Sequence, residues 1–200
     1  MRAVYLASSG EVNEKAAAEA LTALHQIHSK QYGLDYDTTI GPHCQPNGWM
    51  DSWVDFFREK RLLMMAERCR EGGYISSGTM ARIESVAVRL EDHLPKHPDS
   101  SLLHGDIWSG NVIARSGKVC FIDPAVYYGD REVELAFIRM FHTFGNEFFK
   151  RYDELYPILP GFFGERELIY QLYPILVHVN SFGASYTGML ERTLERLPVR

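Results

Sequence analysis

Four polar residues, His104, Asp106, Asn111 and Asp123, stand at spacings that join a proton acceptor to a pair of hard-cation ligands. They occur as His104-Gly105-Asp106-Ile107-Trp108-Ser109-Gly110-Asn111 and, beyond an apolar stretch, Ile122-Asp123-Pro124. The abstract pattern is H-x-D-x-x-x-x-N followed by Asp. A carboxylate at Asp106 can orient an acceptor hydroxyl and take its proton. Asn111 and Asp123 suit magnesium, which takes few protein oxygens and fills its shell with phosphate and water. Together these groups are the set needed to move a phosphoryl group from a polyphosphate to a hydroxyl. Asp, Asn and Gly are also common turn residues, so the weight rests on the joint pattern and its flanks. His104 reads as a support of the loop through hydrogen bonds.

The stretch between Asn111 and Asp123 must bring them together. Val112-Ile113-Ala114, Ser116-Gly117 and Val119-Cys120-Phe121-Ile122 read as two short strands and a tight turn. Such a hairpin places Asn111 and Asp123 at one end. Most of the remaining chain shows helical period. Ala17, Ala20, Leu21, Leu24 and Ile27 predict a helix from about Asn13 to Ser29, with Gly33 as a stop signal. Residues Asp37 to Gly48, with Gly41-Pro42 and Pro46-Asn47, read as an ordered loop. Asp51 or Ser52 is placed to cap a helix carrying Trp53, Phe56, Phe57 and Met64, closed by Gly72-Gly73. Met80, Ile83, Ala87, Leu90 and Leu94 predict another, from Thr79 to Leu94, ended by Pro95 and Pro98. After Gly129, Val133, Ala136, Phe137, Met140 and Phe141 form a stripe with Asp130 as its N-cap, and 165–178 and 188–197 are further helices. The expected fold is mainly α with a small β-hairpin.

Composition narrows the function classes. The 200 residues are 46% hydrophobic and carry a net charge of -5, and no basic cluster suggests a nucleic-acid partner. Three scattered cysteines without a C-x-x-C pair argue against a disulfide framework or a zinc site. No apolar run reaches the length of a membrane span, and the N-terminus has no signal-peptide pattern, so the expected compartment is the cytoplasm or an organelle. His25, His28 and His178 read as helix-face residues rather than metal ligands.

The H-x-D-x-x-x-x-N loop, hairpin and following Asp have the layout of protein kinases. A closer resemblance is carried by H-G-D-x-W-S-G-N together with Phe121-Ile122-Asp123-Pro124-Ala125-Val126-Tyr127-Tyr128-Gly129-Asp130-Arg131-Glu132. These runs resemble the fructosamine-3-kinase (ketosamine-3-kinase, or protein-ribulosamine 3-kinase) family. So do Ile40-Gly41-Pro42, Pro46-Asn47-Gly48-Trp49, Trp53-Val54-Asp55-Phe56-Phe57 and Tyr173-Pro174-Ile175-Leu176-Val177-His178-Val179-Asn180. The resemblance implies the C-terminal lobe of a protein-kinase-like, aminoglycoside phosphotransferase-like fold. It implies transfer of the ATP γ-phosphoryl group to the sugar 3-hydroxyl of a ketosamine on a protein lysine or small amine. Asp106 would be the base, Asn111 and Asp123 the magnesium ligands, and Trp108 and Arg131 candidate substrate contacts. Trp108 could equally brace the loop, and Arg131 could pair with Asp106 or Glu134.

The family also carries an N-terminal lobe that grips the nucleotide. The front of this chain is expected to be a hinge or remnant of it over residues 1–12, with the catalytic lobe over 13–200. Two alternatives stand beside the ketosamine kinase: an inactive ligand-binding pseudokinase lobe, and a kinase of aminoglycosides or choline.

Overall fold

The computed structural model describes residues 12–115 and 117–197. The expected hinge over residues 1–12 falls almost wholly outside them. Helix α1, Glu14–His25, starts where the Asn13 side chain accepts from Ala16 N at 3.1 Å, and it buries Ala17, Ala18, Leu21 and His25. It ends before the expected Ser29 because the chain there is drawn into sheet-like pairing. Ser29 N donates to Ser100 O at 3.0 Å, and Leu102 N to Ile27 O at 2.8 Å.

The predicted loop from Asp37 to Gly48 contains a small hairpin, β1 (Thr38–Ile40) against β2 (His43–Gln45), turning at Gly41-Pro42. A helical run follows. Ser52 Oγ accepts from Asp55 N and caps α2 (Trp53–Phe56). The run widens into a π turn over Phe57–Leu63 and returns as α3 (Met64–Glu71). Trp53, Phe56 and Phe57 are wholly buried. Helix α4 (Ser77–Val88), capped by Ser76, and the short α5 (Leu90–His93) replace the single helix expected from Thr79 to Leu94. The predicted stripe of Met80, Ile83, Ala87, Leu90 and Leu94 is nonetheless buried throughout.

Strand β3 (Ser101–Leu103) leads into the motif and pairs antiparallel with β6 (Tyr127–Gly129), on its far side. Between them, β4 (Val112–Arg115) and β5 (Lys118–Phe121) form the predicted hairpin, with Val112 opposite Phe121. The described residues therefore hold three two-stranded sheets rather than one hairpin. Helix α6 (Glu132–Met140) follows, then α7 (Asn146–Leu155), α8 (Glu167–Phe182) and α9 (Ala184–Arg196). The N-cap position of α6 is Arg131, one residue later than expected, while Asp130 Oδ1 accepts from Glu132 N at 3.0 Å. The apolar α8 packs against α3, α6 and α9, and α7 packs against α1. No helix among the described residues is long and apolar enough to cross a membrane.

Candidate functional site

The motif loop is held between β3 and the hairpin by contacts to its own backbone. His104 is buried, and one ring nitrogen, Nε2, lies 3.0 Å from Ile122 O while the other accepts from Asp106 N at 3.3 Å. Its role is therefore structural support, as its place in the motif suggests. Gly105 has φ 84°, and a Cβ there would lie 2.3 Å from Ala125 O. Ala125 N donates to His104 O at 2.8 Å, so two backbone segments meet where only glycine fits.

Asn111 Nδ2 donates to Asp106 O and to Asp106 Oδ2, each at 2.9 Å. That ties the candidate base to the candidate metal ligand and leaves Asn111 Oδ1 as the free oxygen of the amide. Ile122 N donates to Asn111 O at 3.0 Å, which sets Asp123 just beyond Asn111 at the same hairpin end. Asp123 is exposed and has φ 52°, a left-handed conformation that Asp tolerates better than most residues. Among the described residues no three His, Cys, Asp or Glu side chains gather as a metal cluster. The pair Asn111 and Asp123 fits a magnesium ion that draws its remaining ligands from phosphate and water.

Burial raises the Asp106 pKa from its ordinary value, although its Asn111 hydrogen bond opposes the shift. Asp106 and Trp108 both line a cavity of about 410 Å³. Trp108 is 44% exposed, and its ring lies over Gly110 of the same loop.

Arg131 is elsewhere, which corrects its assignment as a substrate contact. It is buried, stacks over the Tyr156 ring at 3.7 Å, and donates to Tyr156 O at 3.0 Å and to Pro157 O. Its guanidinium is consumed by backbone carbonyls between α7 and α8. Nor does it pair with Asp106 or Glu134 directly. Instead Arg131 Nη1 donates to the Tyr152 hydroxyl at 3.3 Å, and that hydroxyl lies 2.6 Å from His25 Nδ1. His25 Nε2 lies 2.8 Å from Glu134 Oε2. Glu134 then accepts from His104 N at 3.1 Å and from Gly105 N at 2.6 Å.

This buried chain went unread in the sequence, where His25 looked like an ordinary helix-face residue. The signals were a carboxylate flanked by Val133 and Leu135 and a histidine ending an apolar stripe. Burial depresses the His25 pKa and keeps the ring neutral, with Nε2–H donating and Nδ1 accepting. Burial pushes the Glu134 carboxyl up, but the hydrogen bonds from His25 and from the Gly105 N–H oppose it, and its pKa lies below the ordinary carboxylate value.

The fructosamine kinase family model matches residues 3–199. A probable ketoamine kinase of Synechocystis is 41% identical over 181 residues, 88% of this chain and 59% of that protein. One from Pasteurella multocida is 38% identical over 175 residues, 87% of this chain and 59% of its own length. The chain thus spans about three fifths of the length of these curated relatives. The crystal structure of a candidate fructosamine-3-kinase from Thermobifida fusca superposes with a TM-score of 0.88 at 29% identity, covering 96% of this chain and 67% of that one. An aminoglycoside phosphotransferase bound to ADP and hygromycin B superposes with a TM-score of 0.59 at 15% identity, covering 92% of this chain and 64% of that one, which shows the shared kinase-like fold. By sequence and by fold, the chain belongs to the fructosamine kinase family.

Proposed function

We propose that this chain carries the acceptor-activating and metal-holding part of a ketosamine 3-kinase, which moves the γ-phosphoryl group of ATP to the sugar 3-hydroxyl of a ketosamine. The observation that carries the reading is the Asp106–Asn111 pair, joined at 2.9 Å beside a cavity that Asp106 itself lines. The Asp106 carboxylate would accept a hydrogen bond from the acceptor hydroxyl and take its proton as the phosphoryl group arrives. Its raised pKa suits that task, because a stronger base keeps more driving force for proton transfer. Asn111 Oδ1 and the Asp123 carboxylate would hold magnesium, whose charge offsets that of the phosphates. Trp108 would offer an aromatic face to the C–H surface of the sugar. ATP use is supported by the ADP-bound phosphotransferase of the same fold. Substrates on protein lysines and on small amines both fit the reaction. The three free thiols suit a reducing compartment such as the cytoplasm.

The test is ADP release from Mg-ATP with a 1-deoxyfructosyl or ribulosyl amine, with phosphorus NMR locating the new ester. Ketosamine-dependent ADP release with phosphate on oxygen 3 is the expected result. Turnover of hygromycin B or choline without turnover of ketosamines would replace this reading with another small-molecule kinase. Binding without any turnover would favour a pseudokinase lobe.

A further inference from the structure

The cavity beside Asp106 has walls that the phosphoryl chemistry does not use. Beyond Trp108 it is bounded by Phe141, His178, Phe182 and Tyr186, drawn from the end of α6, from α8 and from α9. These rings pack as one aromatic group. The His178 ring centroid lies 4.8 Å from Phe141, 4.9 Å from Tyr186 and 5.7 Å from Phe182. His178 Nδ1 donates to Pro174 O at 2.7 Å, which fixes the ring against the wall. Burial lowers its pKa, so the ring is uncharged at neutral pH.

The charge inside the cavity is one-sided. Its ionisable acids are Asp106 and Glu134, and Glu134 is already occupied by His25 and two backbone amides. No lysine or arginine is among the described lining residues. An anionic group entering here would lose its hydration without a counter-ion. A protonated secondary amine would meet aromatic faces, which attract cations. Its substituent would meet apolar rings, which favour apolar surface. A volume of about 410 Å³ is at the small end of the range of about 300–1,000 Å³ for small-molecule sites.

We infer that the Phe141, His178, Phe182 and Tyr186 wall is a subsite for the amine part of the substrate, selecting low-molecular-weight ketosamines with an aromatic or branched aliphatic substituent. The inference rests on the ketosamine kinase reading for the sugar, and it adds which amine the sugar carries.

The experiment compares the 1-deoxyfructosyl adducts of benzylamine and of glycine. Both kcat/KM with Mg-ATP and Kd by titration calorimetry without nucleotide are measured, for the wild type, Phe182→Ala and Tyr186→Ala. The benzylamine adduct is expected to be favoured about 10-fold or more, the scale of burying one aromatic ring. Both variants are expected to bring that ratio towards unity. Phe182 is 62% exposed, so its truncation tests the wall without emptying the core. Equal values for the two adducts in the wild type, or an unchanged ratio in both variants, would overturn the subsite. If neither adduct is phosphorylated, the kinase reading falls, and the calorimetric ratio alone then decides the subsite.

Discussion

His25, the last residue of α1, lies 2.8 Å from Glu134 on α6 although 109 residues separate them, and that contact holds the motif loop in place. Glu134 presents one oxygen to His25 and His104 N and the other to Gly105 N. Asp106 is the next residue, so the candidate base inherits its position from a buried carboxylate it never touches. Replacing Glu134 with Gln keeps the shape but turns one acceptor into a donor facing a donor. Such a buried mismatch costs about 1–3 kcal/mol. The variant should lose that stability in urea unfolding, and its kcat should fall about 100-fold, the scale of a 1 Å misplacement. An unchanged kcat at reduced stability would confine Glu134 to folding.

Gly105→Ala should strike the same loop from the other side. A Cβ at φ 84° would meet Ala125 O at 2.3 Å, so the β3 end and the segment after the hairpin would have to part. The strained backbone alone costs about 1–3 kcal/mol. Thermal unfolding should show that loss. Because Asp106 adjoins the clash, ketosamine phosphorylation should fall further than the stability change explains. Wild-type stability and turnover in this variant would mean the two segments are free to separate.

Legibility in the sequence followed the range over which a signal acts. The hairpin and the places of Asp106, Asn111 and Asp123 were readable because they are set within about twenty residues by alternation and turn chemistry. The stripe on α4 was readable because the i, i+3, i+4 spacing survives the break into α5. The pairing of β3 with β6 was not, since three-residue strands carry almost no period and find each other across the motif. Arg131 was misassigned because an arginine next to a motif looks available, whereas its partners Tyr152, Tyr156 and Pro157 come from a later helix and its exit. The aromatic wall draws on three helices, and no local pattern announces where they meet.

Asp130 gives a stability prediction with a definite sign. It is 3% exposed, and burial followed by repulsion from Glu132 raises its pKa from 3.8 to about 6, against a hydrogen bond from Tyr170. The folded state therefore binds its proton more tightly than the unfolded state. That contribution is fully present below pH 3.8 and is lost as pH rises through about 6. Asp130→Asn removes this one slope. As pH rises from 4 to 7 the variant should gain steadily on the wild type in urea-unfolding free energy, with most of the gain made below about pH 6. Parallel wild-type and variant curves across that window would show that Asp130 ionises freely.

Asp106→Asn and Asp123→Asn should fail in different ways, because the proposed reading gives one carboxylate to the acceptor hydroxyl and the other to magnesium. Asn at 106 can still share a hydrogen bond with Asn111, so folding and the magnesium requirement should change little. It cannot take the acceptor's proton, and general-base loss costs about 10²–10⁴ in kcat. Asn at 123 keeps an oxygen ligand but loses its charge, so half-maximal activity should need more magnesium, and saturating magnesium should restore part of the rate. Wild-type activity should also drop on the acid side with a midpoint above 3.8, since burial raises the Asp106 pKa and only the carboxylate can act as base. That acid limb should be absent from the residual activity of Asp106→Asn and present in that of Asp123→Asn. Near-full turnover in Asp106→Asn with unchanged substrate binding would move the base elsewhere. An unaltered magnesium dependence in Asp123→Asn would remove it from the metal site.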